Sequence, residues 1–208
     1  MWRDEIVEKS WLALEELRNL ADFVLIGGWG VYLWTRKMKS RDIDIYIDQQ
    51  NFYKVQFELL QRSYVLKRNV RLKKFEALIG DVEVDIYTPF MSNLVVPCSD
   101  VYNQRLFSLV ERFKVAIPEV LLLLKAQAAT QRWHSEKGLK DRTDIISLLK
   151  FADVKRDLLE QMLQKYDEQH TLRNAIKRTI ANSRAEYRFL GLVYERDGVE
   201  LKRTFGNL

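Results

Sequence analysis

The sequence predicts an α+β fold in which a mixed β-sheet core is flanked by helices and followed by a mainly helical C-terminal part. Two observations lead to this class. Up to residue 117, segments with strand-like alternation are interleaved with helical patterns, whereas from residue 118 onward apolar residues recur mostly at helical spacing. The change predicts two domains, a core at 1–117 and a helical domain at 118–208. A chain of 208 residues is long enough for both.

The elements of the first domain follow from apolar periodicity and from the residues that interrupt it. Steps of three and four residues predict an amphipathic helix over 3–20. Alternation and short apolar runs predict strands, and Gly, Asn and Asp mark the turns between them. The remaining predictions, in chain order, are a strand at 23–27, a helix from the following glycines to about Arg36, a strand at 41–48, a helix capped by Asn51 and ending near Gln61, strands at 64–68, 72–79 and 82–87, an irregular stretch at 88–104, and strands at 105–109 and 112–116.

The second domain is predicted to begin at Pro118, because proline fits the first turn of a helix. This helix should reach about Trp133. Further helices are predicted at 139–151, 155–166 and 171–182. Near the end, Asp197-Gly198 stands between two apolar segments, a pattern typical of a β-hairpin. The sequence therefore predicts a terminal hairpin from strands at 189–195 and 199–205.

Composition makes several classes of protein improbable. No apolar run reaches the roughly 18 residues needed to cross a bilayer, and the N-terminal residues lack a signal-peptide pattern. We therefore expect a cytoplasmic protein without membrane association. Cys98 is the only cysteine, so no intrachain disulfide is possible. With two histidines and one cysteine, a zinc site is not expected, and any metal ion should be held by oxygen ligands.

Positive charge is concentrated near the C-terminus. The chain has a net charge of +5, and residues 171–208 contain eight basic residues against four acidic ones. A basic tail of this kind is compatible with contact with a polyanion, and RNA is the candidate, although charge runs in general are more often solvated faces. The alternative is an ordinary solvated helix face.

Two aspartates in the strand at 41–48 are the first candidate site residues. Alternate side chains of a strand share a face, so Asp42 and Asp44 point to one side and the isoleucines to the other. The two carboxylates are separated by roughly 6–7 Å along the strand. This spacing suits Mg²⁺, because that ion prefers carboxylates together with substrate phosphates. The sequence therefore predicts a metal site on the polar face of this strand.

A third carboxylate is predicted from the strand at 82–87. Its valines and isoleucine share one face, and Asp85 lies on the other face with Glu83. If this strand lies beside the first acidic strand, three carboxylates repel one another unless a cation or a basic group lies among them. Asp85 is the preferred third acid and Glu83 is the alternative. A solvent-facing strand residue is the competing interpretation for either of them.

Gly27 and Gly28 follow an apolar strand and open a helix. Glycine lets the backbone approach a ligand closely and adopt a positive φ, and N–H groups at a helix start attract phosphate. Tight packing of strand against helix is the alternative explanation. The spacing fits neither a Walker loop nor a dinucleotide fingerprint. Trp29 and Trp34 flank this turn, either as core residues or as stacking partners for a base.

The segment 23–48, taken with the later strand at 82–87, resembles the DNA polymerase beta-like nucleotidyltransferase superfamily. Within that superfamily, Gly27-Gly28 followed by Asp42-Ile43-Asp44 is similar to the aminoglycoside nucleotidyltransferases and to the nucleotidyltransferase toxins of abortive-infection toxin–antitoxin systems. The resemblance implies a nucleotidyltransferase core in which the two glycines hold a triphosphate. It also implies two Mg²⁺ ions, or Mn²⁺ in their place, held by Asp42, Asp44 and Asp85.

Basic residues are predicted to contact the nucleotide. Arg36 and Arg41 lie near enough in sequence to help screen the triphosphate. A weaker similarity to the toxin-like relatives covers 117–145 and implies that Lys125 reaches the nucleotide, the alternative being an ammonium that extends to solvent. The remaining charged residues of this stretch either line the same cleft or are exposed charges at a helix start; they are Lys140, Asp141 and Asp144.

The resemblance implies an enzyme that transfers an NMP from an NTP to an acceptor hydroxyl and releases pyrophosphate by a two-metal mechanism. RNA, in particular the end of a tRNA, is one candidate acceptor; a small molecule and a protein side chain are the others. The same activity can serve a toxin of a toxin–antitoxin pair. The alternative is a noncatalytic nucleotide-binding or partner-binding module that keeps the fold. The sequence makes no prediction of the oligomeric state.

Overall fold

The computed structural model describes residues 4–208, which form two compact units. The first unit contains the described chain up to Leu33 together with Met38–Ile117. The second unit contains Trp34–Lys37 together with Pro118–Leu208. All the strands of the sheet belong to the first unit, and the second unit is helical. The fold is therefore α+β, a mixed sheet with helices followed by a helical C-terminal part, as predicted.

The first unit alternates helices and short strands. Its elements, in chain order, are α1 (Asp4–Leu20), β1 (Val24–Ile26), α2 (Gly27–Thr35, whose last two residues belong to the second unit), β2 (Ile43–Tyr46), α3 (Gln49–Gln61), β3 (Leu66–Asn69), β4 (Lys74–Ile79), β5 (Val82–Tyr87), α4 (Cys98–Asn103), β6 (Phe107–Val110) and β7 (Phe113–Ala116).

The strands form one mixed sheet in the order β3-β4-β5-β2-β1-β7-β6. Two neighbouring pairs are parallel, β1 with β7 and β2 with β5, and the other neighbours are antiparallel. This order places β2 between β1 and β5 at the centre of the sheet. The three strands that carry or precede the predicted site residues are therefore adjacent.

The apolar face of the central strands is fully buried, as the alternation predicts. The residues with no exposed surface on this face are Ile43, Ile45, Ile47, Val84 and Ile86. Burial of each such side chain stabilises the fold by about 1.5–3 kcal/mol relative to an exposed position. Trp29 of α2 is also buried, and its indole Nε1 donates to the Ser10 hydroxyl of α1 at 2.8 Å. Trp29 is therefore a core residue rather than a stacking platform for a base.

The second unit is organised around one apolar helix. Its elements are α5 (Pro118–Arg132), α6 (Glu136–Phe151), α7 (Arg156–Tyr166), α8 (Thr171–Asn182), α9 (Arg184–Phe189), a π-helical turn at Tyr194–Gly198 and α10 (Val199–Phe205). Residues 120–124 of α5 are buried on every side, and α5 packs against α6, α7 and α8. None of the described helices combines the length and the apolar character that a membrane span requires.

The predicted terminal hairpin is wrong, because tertiary contacts override the Asp-Gly signal. Gly198 has a helical φ of −69°, so the pair does not form a hairpin turn. The Asp197 carboxylate is buried, accepts a hydrogen bond from the Val193 N–H at 2.8 Å and pairs with the Lys150 ammonium at 3.1 Å. These contacts fix a helical turn, and α10 continues from it with its apolar face buried.

Two further local predictions need correction. Residues 88–104 are not wholly irregular, because α4 begins directly after Pro97. The cap of α3 is Asp48 rather than Asn51. The Asp48 carboxylate stands one residue before the helix and accepts the Asn51 N–H at 2.8 Å, which satisfies a donor that the first helical turn leaves unpaired.

Replacement of Asp197 by alanine should lower the free energy of unfolding by about 1–3 kcal/mol, because the Val193 N–H loses its acceptor and the Lys150 ammonium loses a buried carboxylate partner. Asp153→Ala is the matched control. The Asp153 side chain is 80% exposed and forms only a surface pair with Lys155, so its loss should cost less than about 0.5 kcal/mol. Urea unfolding of both variants measures the difference, and equal losses would contradict the structural role of Asp197.

Candidate active site

Two of the predicted carboxylates lie opposite each other on the central strands. Asp44 of β2 and Asp85 of β5 are register partners in a parallel pair, so their side chains leave the same face of strands about 4.8 Å apart. Asp85, and not Glu83, occupies this position. Glu83 pairs with Leu78 of β4, two residues nearer the turn, and is exposed.

Asp42 lies one residue before β2, and its side chain is 28% exposed. The Arg41 Nε donates to the Asp42 Oδ1 at 3.0 Å, so this guanidinium contacts a carboxylate of the predicted metal site. Arg36 directly follows α2 with a φ of +57° and is exposed. It belongs to the second unit. The contact of either arginine with a triphosphate stays a prediction.

Gly27 follows β1 directly and packs closely against the Asp44 side chain. Ile26, the last residue of β1, is the register partner of Asp44, and Gly27 follows it with a φ of +61°. A Cβ atom at Gly27 would lie 2.0 Å from the Asp44 Oδ2. Glycine is therefore required at position 27 for two reasons, the positive φ of the backbone and the closeness of the Asp44 carboxylate. Gly28 is the second residue of α2 and lies in the turn whose N–H groups lack intrahelical acceptors.

Sequence reasoning missed two residues beside Asp85. Glu76 of β4 is the register partner of Asp85. The Lys74 ammonium lies 2.6 Å from the Asp85 Oδ2 and 3.1 Å from the Glu76 Oε1. Glu76, Asp85 and Asp44 thus form a row of three carboxylates across β4, β5 and β2, which we call the carboxylate row. The position of Glu76 could have been predicted from the sequence, because a tight hairpin at Gly80 pairs residues that are equidistant from its turn.

The pKa values show how crowded the carboxylate row is. Burial raises the pKa of Asp85 and the nearby Asp44 carboxylate raises it further, to about 6, although Lys74 opposes the change. A hydrogen bond from Asn69 lowers the pKa of Glu76, burial opposes this, and Lys74 lowers it further. Burial disfavours the charged form of Lys74, but Asp85 and Glu76 together raise its pKa above the usual value. Negative charge at Asp85 is therefore only partly neutralised.

The donor chemistry of Asp42, Asp44 and Asp85 fits a divalent cation, since every ligand atom is a carboxylate oxygen. Burial is the main cause of the raised pKa of Asp85, and repulsion from Asp44 adds to it; a cation beside Asp44 would relieve that repulsion. Across residues 4–208, however, no three His, Cys, Asp or Glu side chains are already arranged to hold a metal ion. The Lys74 ammonium contacts the Asp85 Oδ2 at 2.6 Å, so a cation at that oxygen would have to share it with Lys74.

A separate charge network lies on α5 and α6 of the second unit. The buried Lys125 ammonium lies 3.2 Å from the Asp141 Oδ1 and 2.8 Å from the Asp144 Oδ2. Arg132 pairs with Asp141 at 2.7 Å, and Lys140 pairs with Asp144 at 3.0 Å. Both aspartates are buried, so their interpretation as exposed helix-start charges is wrong, and Lys125 does not extend to solvent. Contact of Lys125 with a nucleotide stays a prediction.

Comparison with solved structures identifies the fold. The chain is similar to the solution structure of the antibiotic-resistance factor ANT(2'')-Ia, with a TM-score of 0.53 and 14% identity over 80% of this chain and 93% of that chain. It is also similar to the crystal structure of ANT(2'')-Ia in complex with adenylyl-2''-tobramycin, with a TM-score of 0.50 and 14% identity over 81% of this chain and 99% of that one. The chain has a nucleotidyltransferase fold.

A third similar structure is an antigenic nucleotidyltransferase-like protein from Paracoccidioides brasiliensis, with a TM-score of 0.48 and 18% identity over 84% of this chain and 93% of that chain. No protein-family model matches the sequence, and no curated protein matches it. The predicted nucleotidyltransferase fold is confirmed by the similarity to the two ANT(2'')-Ia structures. The roles of individual site residues stay predictions.

Replacement of Gly27 by alanine should cost clearly more stability than the same change at Gly80. Both glycines have positive φ, +61° and +59°, so both variants are strained by about 1–2 kcal/mol. Only at Gly27 does the new Cβ collide with Asp44, whereas nothing lies within 4 Å at Gly80. We expect an additional loss of about 1–3 kcal/mol for Gly27→Ala in urea unfolding. Indistinguishable variants would contradict the close approach to Asp44.

The raised pKa of Asp85 predicts an unusual pH dependence of stability. Between the ordinary value of 3.8 and the native value of about 6, the folded chain keeps a proton that the unfolded chain releases. Stability of the metal-free protein should therefore fall as the pH rises from about 4 to 6, by about 1–2 kcal/mol from this group. Urea unfolding in EDTA across this range should show a flatter dependence for Asp85→Asn. Glu83→Gln, on the same strand, should leave the slope unchanged; an unchanged slope in Asp85→Asn would disprove the prediction.

Proposed function

We propose that the protein is a nucleotidyltransferase that moves an NMP from an NTP to an acceptor hydroxyl and releases pyrophosphate. The observation that supports this most strongly is the pairing of Asp44 with Asp85 on adjacent parallel strands, with Gly27 directly against Asp44. The fold supports it as well, since ANT(2'')-Ia has been captured with adenylyl-2''-tobramycin.

Each site residue has a defined part in the proposed reaction. Gly27 and Gly28 bind the triphosphate through N–H groups at the start of α2. Asp42, Asp44 and Asp85 would hold the divalent cations, and Asp85 accepts the proton of the acceptor hydroxyl. Bound Mg²⁺ would neutralise the negative charge that develops on the α-phosphate and on the departing pyrophosphate.

The bond changes are those of a single displacement. The acceptor oxygen attacks the α-phosphorus, the bond from this phosphorus to the oxygen that bridges to the β-phosphate breaks, and pyrophosphate leaves. The acceptor proton passes to the Asp85 carboxylate. In the metal-free chain a pKa of about 6 leaves this carboxylate largely ionised near neutral pH, and an ionised carboxylate can act as a base. Because the protein forms no covalent bond, its contribution is positioning and charge neutralisation.

A small hydroxylated molecule is the acceptor class that the observations favour. At least four of the eight basic residues in the tail at 171–208 already have partners within the second unit. Arg178 lies over Trp133, Arg184 and Lys202 lie over Tyr194, and Arg196 pairs with Asp197. These contacts reduce the case for an RNA-binding tail. A toxin role adds no chemistry to the proposal and would depend on which acceptor is modified.

The decisive test is label transfer from α-labelled NTPs with Mg²⁺, using a pool of hydroxylated small molecules and, separately, pooled RNA. Wild-type protein should label an acceptor and release pyrophosphate, and Asp44→Asn should lower the rate by at least about a hundredfold without unfolding the chain. Asp81→Asn is the control, because this carboxylate is 87% exposed at the β4–β5 turn. Full activity in Asp44→Asn would overturn the metal assignment. NTP binding without pyrophosphate release would instead indicate a noncatalytic module.

A further inference from the structure

Lys74 occupies an unusual position for a lysine. It is the first residue of β4, and only 12% of its side chain is exposed. Its ammonium contacts two members of the carboxylate row, Asp85 at 2.6 Å and Glu76 at 3.1 Å. Glu76 and Lys74 are two residues apart on one strand, so they share the face that also carries Asp85. The ammonium is therefore part of the site and not of the outer surface.

The contact with Asp85 conflicts with the role proposed for that residue. An ammonium at 2.6 Å from the Asp85 Oδ2 uses the oxygen that a divalent cation would need, and it places a positive charge beside the incoming ion. Glu76 offers the ammonium a second acceptor without any movement of the backbone, since it is already 3.1 Å away. Lys74 can thus leave Asp85 and remain paired.

We propose that Lys74 is the resident counter-cation of the carboxylate row, that it competes with the divalent cation for Asp85, and that Glu76 receives it when the metal ion binds. Lys74 and Glu76 are then positioning residues that set how tightly the site holds its metal ion. The inference rests on the proposed function, because it requires Asp85 to be a metal ligand.

The proposal predicts opposite effects for the two residues. Lys74→Met removes the competing charge and keeps the length of the side chain, so the affinity for Mn²⁺ should rise by about tenfold. The same variant should be less stable without metal, because the carboxylates then repel one another without a counter-charge. Glu76→Gln replaces the charged second acceptor by a neutral amide that holds the ammonium less strongly, so Lys74 stays on Asp85 and the affinity for Mn²⁺ should fall about fivefold.

Lys67→Met is the matched control. Lys67 of β3 is the register partner of Glu76, is exposed and contributes to the lowered pKa of Glu76. Its loss changes the net charge by the same amount as Lys74→Met, but no contact with Asp85 is removed. The affinity for Mn²⁺ should therefore change less than about twofold.

The experiment measures binding of Mn²⁺ alone to the full chain, from the paramagnetic resonance signal of the free ion, together with thermal unfolding in EDTA. Asp44→Asn tests whether the wild-type chain binds Mn²⁺ at this site; undiminished binding in that variant would defeat the proposed metal site itself. If binding depends on Asp44, unchanged or weaker binding in Lys74→Met overturns the inference, and so does an equal gain in Lys67→Met. Should Lys74→Met not fold, Glu76→Gln decides, since undiminished affinity there excludes the transfer of Lys74.

Discussion

The crowding of carboxylates on the central strands is the constraint on which the site depends. Asp44 and Asp85 leave the same face of paired strands, and Glu76 extends the row to a third strand. Such a row is unfavourable in a folded chain unless positive charge lies along it. Lys74 supplies that charge. Residue 27 has to be glycine, because the Asp44 carboxylate occupies the space that a Cβ atom at this position would need. The sheet order, with β2 between β1 and β5, brings these groups together.

The polar face of the site could be predicted because alternation is a local property of each strand. Asp44 and Asp85 were identified from their own segments, and the fully buried isoleucines confirm the period. The parallel pairing of β2 with β5 could not be predicted in the same way, since no turn connects those strands and register is set by tertiary packing. Lys74 and Glu76 lie between these cases. A hairpin rule would have placed Glu76 opposite Asp85, but only a side-chain position shows that Lys74 reaches both acids.

The C-terminal segment shows where a local signal loses to long-range contacts. Asp-Gly between apolar residues favours a hairpin in isolation. Here Asp197 instead pairs with Lys150 of α6, a partner far away in the chain. The carboxylate then accepts the Val193 N–H and stabilises a helical turn. Burial counteracts ionisation of Asp197, yet these contacts lower its pKa to about 2. The segment alone contains only part of this information, because one of the stabilising charges, that of Lys150, lies on another helix.

Buried aspartates in the two units differ in how far neighbouring cations neutralise them. This difference distinguishes a structural charge network in the second unit from a candidate metal site in the first. In the second unit, Asp141 contacts both Lys125 and Arg132. Burial there would raise the pKa of Asp141, but the two cations hold it below the usual value. In the first unit, Asp85 shares Lys74 with Glu76 and faces Asp44, and burial together with the Asp44 charge raises its pKa to about 6. A divalent cation gains little at a carboxylate that is already neutralised. It gains most where positive charge is in deficit, and that condition is met at Asp85.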